Sequence, residues 1–263
     1  MIDPNYTQAT EIQRQFTLQK DDLRGKTIAI TGATGGLGTA LSKSLASAGA
    51  SVVLISRNEK KLEKLYDVLI ADGAATPAIV PIEQDKANEA AYQELAALIY
   101  AEFGGLDALV HTAADLGTPT PMTGISHQEW MRVMSVNLTS ARLLSLAVLP
   151  LLKVSPLASM VFLLDHKPSA YWGGYGVSKQ AIQSMMHMLA HENDQIIDDS
   201  DGFPQLAING LNPGPMRTQL RRRAFPGEQE DESPLPELAL GTLNWLITRQ
   251  DRALTNKALL HST

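Results

Sequence analysis

Two short stretches combine residue types that could do chemistry. In 175–179, Tyr-Gly-Val-Ser-Lys, a phenol and an ammonium stand at i and i+4, on one face of a helix. A cation beside a phenol favours phenolate. Lys179 is therefore expected to lower the Tyr175 pKa toward the range where it exchanges protons at neutral pH. The competing reading is a surface tyrosine and lysine that share a face by chance. In 31–38, Thr-Gly-Ala-Thr-Gly-Gly-Leu-Gly, glycines separate an apolar run from a helical pattern. Such a turn lets backbone N–H groups and the positive end of a helix meet a pyrophosphate. A side chain at Gly32, Gly36 or Gly38 would obstruct the turn, the phosphate approach or the helix–strand packing. A glycine string alone is weak, but between a strand and a helix it makes a nucleotide the first ligand to consider.

The elements that must position these stretches follow from apolar patterning. Strands are expected over 27–30, 51–55, 78–82, 106–110, 160–164 and 206–211, with a last short one over 258–261. Helices are expected over 39–48, 59–71, 89–103, 128–152, 175–191 and 238–247. Regular alternation of strand and helix implies a parallel sheet covered on both faces. The expected architecture is α/β: a single Rossmann-type doubly wound sheet over 25–263, after an N-terminal extension over 1–24. In that extension Ile12, Gln15, Phe16 and Gln19 would share one face of a short packed helix. The stretch 221–236, with three arginines, a run of acids and three prolines, reads as a mobile surface segment.

Bulk composition narrows the function classes. The 263 residues suffice for one large domain, and 44% hydrophobic with 19% charged residues is globular. A net charge of −6 argues against general binding of nucleic acid or an anionic membrane. The absence of cysteine removes disulfides, thiolate metal sites and cysteine nucleophiles. No secretory h-region and no run long enough for a bilayer is expected, so cytoplasm is the default compartment.

With these motifs in hand, the chain resembles the short-chain dehydrogenase/reductase family from about Lys26 onward. The resemblance rests on 31–38, the Val136-Asn137 pair, Tyr175-x-x-x-Lys179 and Asn212-Pro-Gly-Pro-Met-Arg-Thr218. It implies that Tyr175 hands a proton to a carbonyl oxygen while a nicotinamide delivers hydride to the carbon. Lys179 would bind the nicotinamide ribose and tune Tyr175, and Asn137 would hold a water in a proton relay or equally be a buried capping or packing residue. The cofactor would meet Gly32, Thr34, Gly36, Leu37 and Gly38 at the glycine turn. Ala113 would lie along it, and Pro213, Gly214 and Thr218 would approach the nicotinamide amide and the phosphates. Members preferring NAD carry an acid after the second strand. This chain has Ser56-Arg57, and an arginine can pair with a 2′-phosphate, so NADP is favoured over NAD. Oligomers are usual in the family, so a homodimer or homotetramer is expected.

The pattern also breaks. A serine is usual near the end of the fifth strand, where its hydroxyl binds the substrate carbonyl. Here that position falls on Asp165, within Leu164-Asp165-His166-Lys167-Pro168-Ser169. A carboxylate offers no donor and repels a developing oxyanion, and losing one oxyanion donor costs about 3–4 kcal/mol. Three rescues are open, in this order: Ser169 swings in, His166 donates, or Asp165 is protonated in an apolar pocket. Where Asn-Asn-Ala-Gly is usual, the chain has His111-Thr112-Ala113-Ala114, whose last methyl crowds the adenosine side. Glu83 replaces the usual aspartate after the third strand and is expected to reach the adenine amino group.

The sequence thus supports an NADP-dependent oxidoreductase acting on a carbonyl or secondary alcohol, with Tyr175, Lys179, Asn137 and Asp165 as its catalytic group. The alternative is a dinucleotide-binding protein with weak or lost catalysis. His187 and His191 have metal-pair spacing but lack the glutamate of a His-Glu-x-x-His site, and the surrounding methionines indicate packing; no metal is expected. Arg221 to Arg223 either greet an anionic substrate or form a solvated face balanced by Glu228 to Glu232. His111 and Asp115 line the pocket, or are a satisfied core histidine and a turn acid.

Overall fold

Strands without a polar face need cover on both sides, and the chain supplies it. The computed structural model describes residues 6–193, 202–229 and 231–261. Eight parallel strands form one sheet in the order β1-β8-β7-β6-β5-β2-β3-β4. They are β1 (Thr7–Gln8), β2 (Thr27–Thr31), β3 (Ser51–Ser56), β4 (Ala78–Pro81), β5 (Ala108–His111), β6 (Ala158–Leu163), β7 (Leu206–Asn212) and β8 (Ala258–Leu260). Alternation divides the strand residues between two cores. Ala29, Val53, Ile55 and Leu109 point to one; Ile28, Ile30, Val52, Leu54 and Val110 point to the other.

The first core packs under α4 (Glu89–Phe103), α6 (Ser140–Lys153) and α7 (Gly173–Asn193). The second packs under α2 (Gly36–Ser47), α3 (Glu59–Ala71) and α9 (Leu240–Ile247). A further helix, α5 (His127–Met134), runs through a π-helical turn at Ser135–Thr139 into α6. The continuous helix His127–Lys153 is long and apolar enough by composition to cross a bilayer, contrary to the sequence expectation. Here Leu144, Val148 and Leu152 of that helix are fully buried in the first core.

From β2 the chain winds out to β3 and β4, then crosses back to β5 on the other side of β2. This reversal opens a crevice at the carboxyl ends of β2 and β5, the usual ligand position in an open α/β sheet. Register brings Thr31 beside Ile55 and His111, and His111 beside Phe162, so several strands end at one level.

Two local expectations are corrected. The N-terminal helix α1 spans only Glu11–Gln15, closed by a capping box between Thr10 and Gln13. Its buried residue is Gln13, whereas Ile12 is 70% exposed and Phe16 lies beyond the helix in extended conformation. Phe16 packs edge-on against Trp245 of α9, and Thr7–Gln8 adds to the sheet beside Leu259 and Leu260. Nor is 221–236 simply a loose surface segment, because α8 (Gln219–Ala224) is capped by Thr218 and held by contacts described below.

Candidate active site

A cavity of about 680 Å³ runs along the carboxyl ends of the strands, from Arg57 and Lys61 to Tyr175 and Lys179. Its floor is the glycine turn. Gly32 has φ +64°, and a Cβ there would meet Ala113 N and Cα at 2.8 Å, so only glycine lets β2 approach the loop after β5. A Cβ on Gly38 would run into the Gly32 carbonyl, and one on Gly36 would stand 2.9 Å from Thr218 Cγ2. Gly35 caps α2 without a side-chain acceptor, and the cavity reaches Gly36, Leu37 and Gly38 at that helix start. Donors of this kind suit an anion. Thr34 also lines the cavity and shares a 2.7 Å hydrogen bond with Ser56.

The far end is cationic. Ser56 ends β3, Asn58 caps α3 by accepting from the Lys61 N–H, and Arg57 between them lines the cavity with Lys61. Ala113, Ala114, Pro213, Gly214 and Thr218 line it, and Glu83 does not. Glu83 is exposed and paired with Lys86 at 2.5 Å, a turn in which Gln84 and Asp85 face the cavity instead.

At the other end stands Tyr175, in the first turns of α7 and 4% exposed. Its hydroxyl donates to Asp165 Oδ2 at 2.9 Å. Burial first, then the Asp165 charge and hydrogen bond, hold the phenol pKa well above its ordinary value. This corrects the expectation that Lys179 lowers it. Lys179 is itself buried, which pulls its pKa down to about 8 against the opposing pull of Asp165. Its Nζ donates to the Leu163 carbonyl at 2.8 Å and lies 5.8 Å from the Tyr175 ring centre.

Two of the rescues expected at the missing serine, Ser169 and His166, are not found at the cavity. Ser169 is exposed, and His166 Nδ1 sits 2.9 Å from Gln180 Nε2; neither lines the cavity. The donor beside Asp165 is Lys167, whose Nζ is 2.9 Å from Asp165 Oδ1 and 5.2 Å from the Trp172 ring centre. Lys167 escaped sequence reasoning because its register in the short loop after β6 is set by contacts, not spacing.

Asn137 makes the contacts of a buried packing residue. Its Oδ1 accepts from the Asp115 N–H at 2.6 Å, while Nδ2 donates to the Asp115 carbonyl and to Ser178 Oγ, both at 2.9 Å. It lies in the π turn, a distortion frequent at functional sites, and is 3% exposed. These bonds make it a brace between the loop after β5 and the helix bearing Tyr175. Asp115 lines the cavity, but its carboxylate pairs with Arg132 and accepts from the Gly117 N–H.

His111 is a core residue, stacked on Phe162 with ring centres 4.7 Å apart and 2.9 Å from Ser145 Oγ. Burial, helped by Lys179, lowers its pKa to about 3, so it is neutral. His187 sits 2.6 Å from Asn256 Oδ1. Of the three arginines, Arg221 forms a two-pronged pair with Glu228 and covers the Phe225 ring at 3.8 Å. Arg223 donates to the Gly117 carbonyl at 2.9 Å, and Phe225 meets Trp172 at 5.8 Å. Thus α8 bridges the loops after β5 and β6 across the cavity mouth.

Fold and cavity together define a Rossmann-type nucleotide-binding protein with Tyr175, Lys179 and Asp165 at one end of its cavity. Comparison with known proteins gives the family: residues 26–229 match the short chain dehydrogenase family, and the chain belongs to it. It is 32% identical over 240 residues to the uncharacterized oxidoreductase YciK of Escherichia coli strain K12, covering 90% of this chain and 92% of that one. A Pseudomonas syringae structure, described provisionally as a short chain dehydrogenase, is 35% identical with TM-score 0.87, over 94% and 98% of the two chains. A similarly described protein of Escherichia coli CFT073, solved with NADPH, is 31% identical with TM-score 0.86, over 92% and 98%. By family, this chain is an oxidoreductase.

Proposed function

We propose that the chain is an NADP(H)-dependent oxidoreductase of carbonyl or secondary-alcohol substrates, with Tyr175 exchanging the proton. The observation that carries this reading is the single cavity joining the Arg57–Lys61 end to Tyr175 and Lys179. When bound, NADPH would supply a hydride to a carbonyl carbon, and NADP+ would accept one from a carbinol carbon. The residues present fit it: the α2 start suits the pyrophosphate, and Arg57 with Lys61 suits a 2′-phosphate rather than a bare ribose diol. The solved NADPH complex of the relative supports the same choice.

The chain's own groups do the rest. Gly36, Leu37 and Gly38 bind phosphate through N–H groups, and Thr218, Pro213 and Gly214 close over the cofactor beside them. Lys179, held by the Leu163 carbonyl, orients the ribose and keeps positive charge beneath Tyr175. Trp172, Phe225 and α8 cover the substrate end. Asn137 fixes Tyr175 from behind, because its partner Ser178 Oγ donates to the Tyr175 carbonyl at 2.8 Å. A cytoplasmic homodimer or homotetramer completes the reading. Exposed Met131 and Leu146 on the long helix, with Val177 and Met188 on α7, support such an assembly.

A fluorescence titration with NADPH beside NADH tests the cofactor. Saturable binding that favours NADPH is expected; binding of neither would return the chain to a fold put to another use.

A further inference from the structure

The phenol of Tyr175 carries one proton, and it is given to a carboxylate. Asp165 Oδ2 accepts it at 2.9 Å, while Asp165 Oδ1 is held by the Lys167 ammonium at 2.9 Å. Both side chains line the cavity and keep some contact with water, 22% exposed for Asp165 and 28% for Lys167. The phenol oxygen therefore offers lone pairs to the substrate end. A ketone oxygen, which only accepts, meets no free phenolic hydrogen there. An alcohol hydroxyl, which donates, is complementary.

We propose that Asp165 is the terminal proton acceptor of this site, so that the chain oxidises a secondary alcohol by passing its proton through Tyr175. The proposal rests on the assignment of Tyr175 made above. In the forward step the alcohol O–H bond breaks and its proton goes to Tyr175 Oη. The phenolic O–H bond breaks in concert, and that proton goes to Asp165 Oδ2. The electron pair of the carbinol C–H bond leaves as hydride to the oxidised nicotinamide, and a ketone remains. The Asp165 carboxyl then loses its proton to water at the cavity mouth.

Lys167 is the counter-ion that keeps the carboxylate facing Tyr175, and its ammonium also lies over the Trp172 ring. The charged and titratable groups near Asp165 are Lys167 on its own loop and Lys179 and Tyr175 on α7, with Tyr6 near Tyr175; Asp115, Arg221 and Arg223 line the same cavity. Asp165, which accepts from the phenol at 2.9 Å, is the group placed to take its proton. Serine at this position would instead donate to a carbonyl oxygen, and the aspartate replaces that donor with a proton acceptor behind the phenol.

Two readouts test this. In the first, tyrosinate absorbance is followed against pH without cofactor, using Tyr175→Phe to assign the signal. Asp165→Asn is expected to bring Tyr175 ionisation down toward the ordinary tyrosine range, because a negative neighbour and acceptor is gone.

In the second, NADP+-linked oxidation of 2-butanol, cyclohexanol and 1-phenylethanol is compared with NADPH-linked reduction of their ketones. Asp165→Asn should lose at least about tenfold in oxidation and flatten its rise with pH, with NADPH binding unchanged. An Asp165→Asn protein with wild-type oxidation, pH profile and tyrosinate titration overturns the relay, while an inert Tyr175→Phe still supports the Tyr175 assignment. A Tyr175→Phe protein as active as wild type, or no hydride transfer by wild type in either direction, overturns that assignment and the relay with it.

Discussion

Asn137 Nδ2 donates to Ser178 Oγ at 2.9 Å, joining the π turn of the long helix to the helix that carries Tyr175. The same amide takes both backbone groups of Asp115, so each of its polar atoms is committed to protein. Truncating it leaves a buried N–H, a buried carbonyl and a buried hydroxyl short of a partner. Asn137→Ala is expected to cost about 2–3 kcal/mol of stability, read as a lower urea midpoint at unchanged slope. A midpoint equal to wild type, with activity lost, would instead favour a water-holding role in a relay.

Tyr175→Phe removes the phenolic oxygen while keeping the ring that packs near Trp172 at 5.7 Å. Loss of at least about a hundredfold in turnover is expected, with NADPH affinity and thermal midpoint little changed. Steady-state rates beside a fluorescence titration separate the two effects. Full retention of turnover counts against Tyr175 as the proton-exchanging group.

Arg57 stands between the end of β3 and the Asn58 cap of α3, on the cavity wall with Lys61. A charge-assisted bond to a phosphate contributes about 1.5–3 kcal/mol, so Arg57→Asp should weaken NADPH binding by at least about tenfold. The new carboxylate suits a ribose diol, and NADH binding should strengthen. Equal affinities of Arg57→Asp and wild type for NADPH would take Arg57 out of the cofactor site.

The strands and helices were legible because both sheet faces are buried and their apolar runs are unambiguous, as in Ser51–Ser56 and Ala158–Leu163. The glycine turn and the Tyr175–Lys179 pair were legible because their meaning is local: consecutive residues set the turn, and helix geometry sets the pair. What escaped depends on partners distant in sequence. Glu83 and Asp85 are two residues apart, and only the fold of their turn decides which one faces the cavity. The strand Thr7–Gln8 exists because Leu259 and Leu260 lie beside it, more than two hundred residues on. Tyr175 shows the same limit in its chemistry. Spacing suggested a cation that lowers its pKa, whereas burial and a loop aspartate raise it.

His111 supplies a test of the core through pH. Its folded pKa, about 3, lies below the unfolded value near 6.5, because the ring is buried and faces Lys179. Between these values the unfolded chain binds the proton and the folded chain does not, so stability falls as pH falls. The contribution is complete above the unfolded pKa, and loss begins near pH 6.5 and continues toward pH 3. At pH 5 linkage from this one residue amounts to about 2 kcal/mol. His111→Asn keeps a polar partner for Ser145 but cannot be protonated in this range. Urea unfolding at pH 7 and pH 5 should therefore show wild type losing about 2 kcal/mol more than His111→Asn. Equal losses in the two proteins would mean that the ring is protonated in the folded state, which its stacking on Phe162 and its burial oppose.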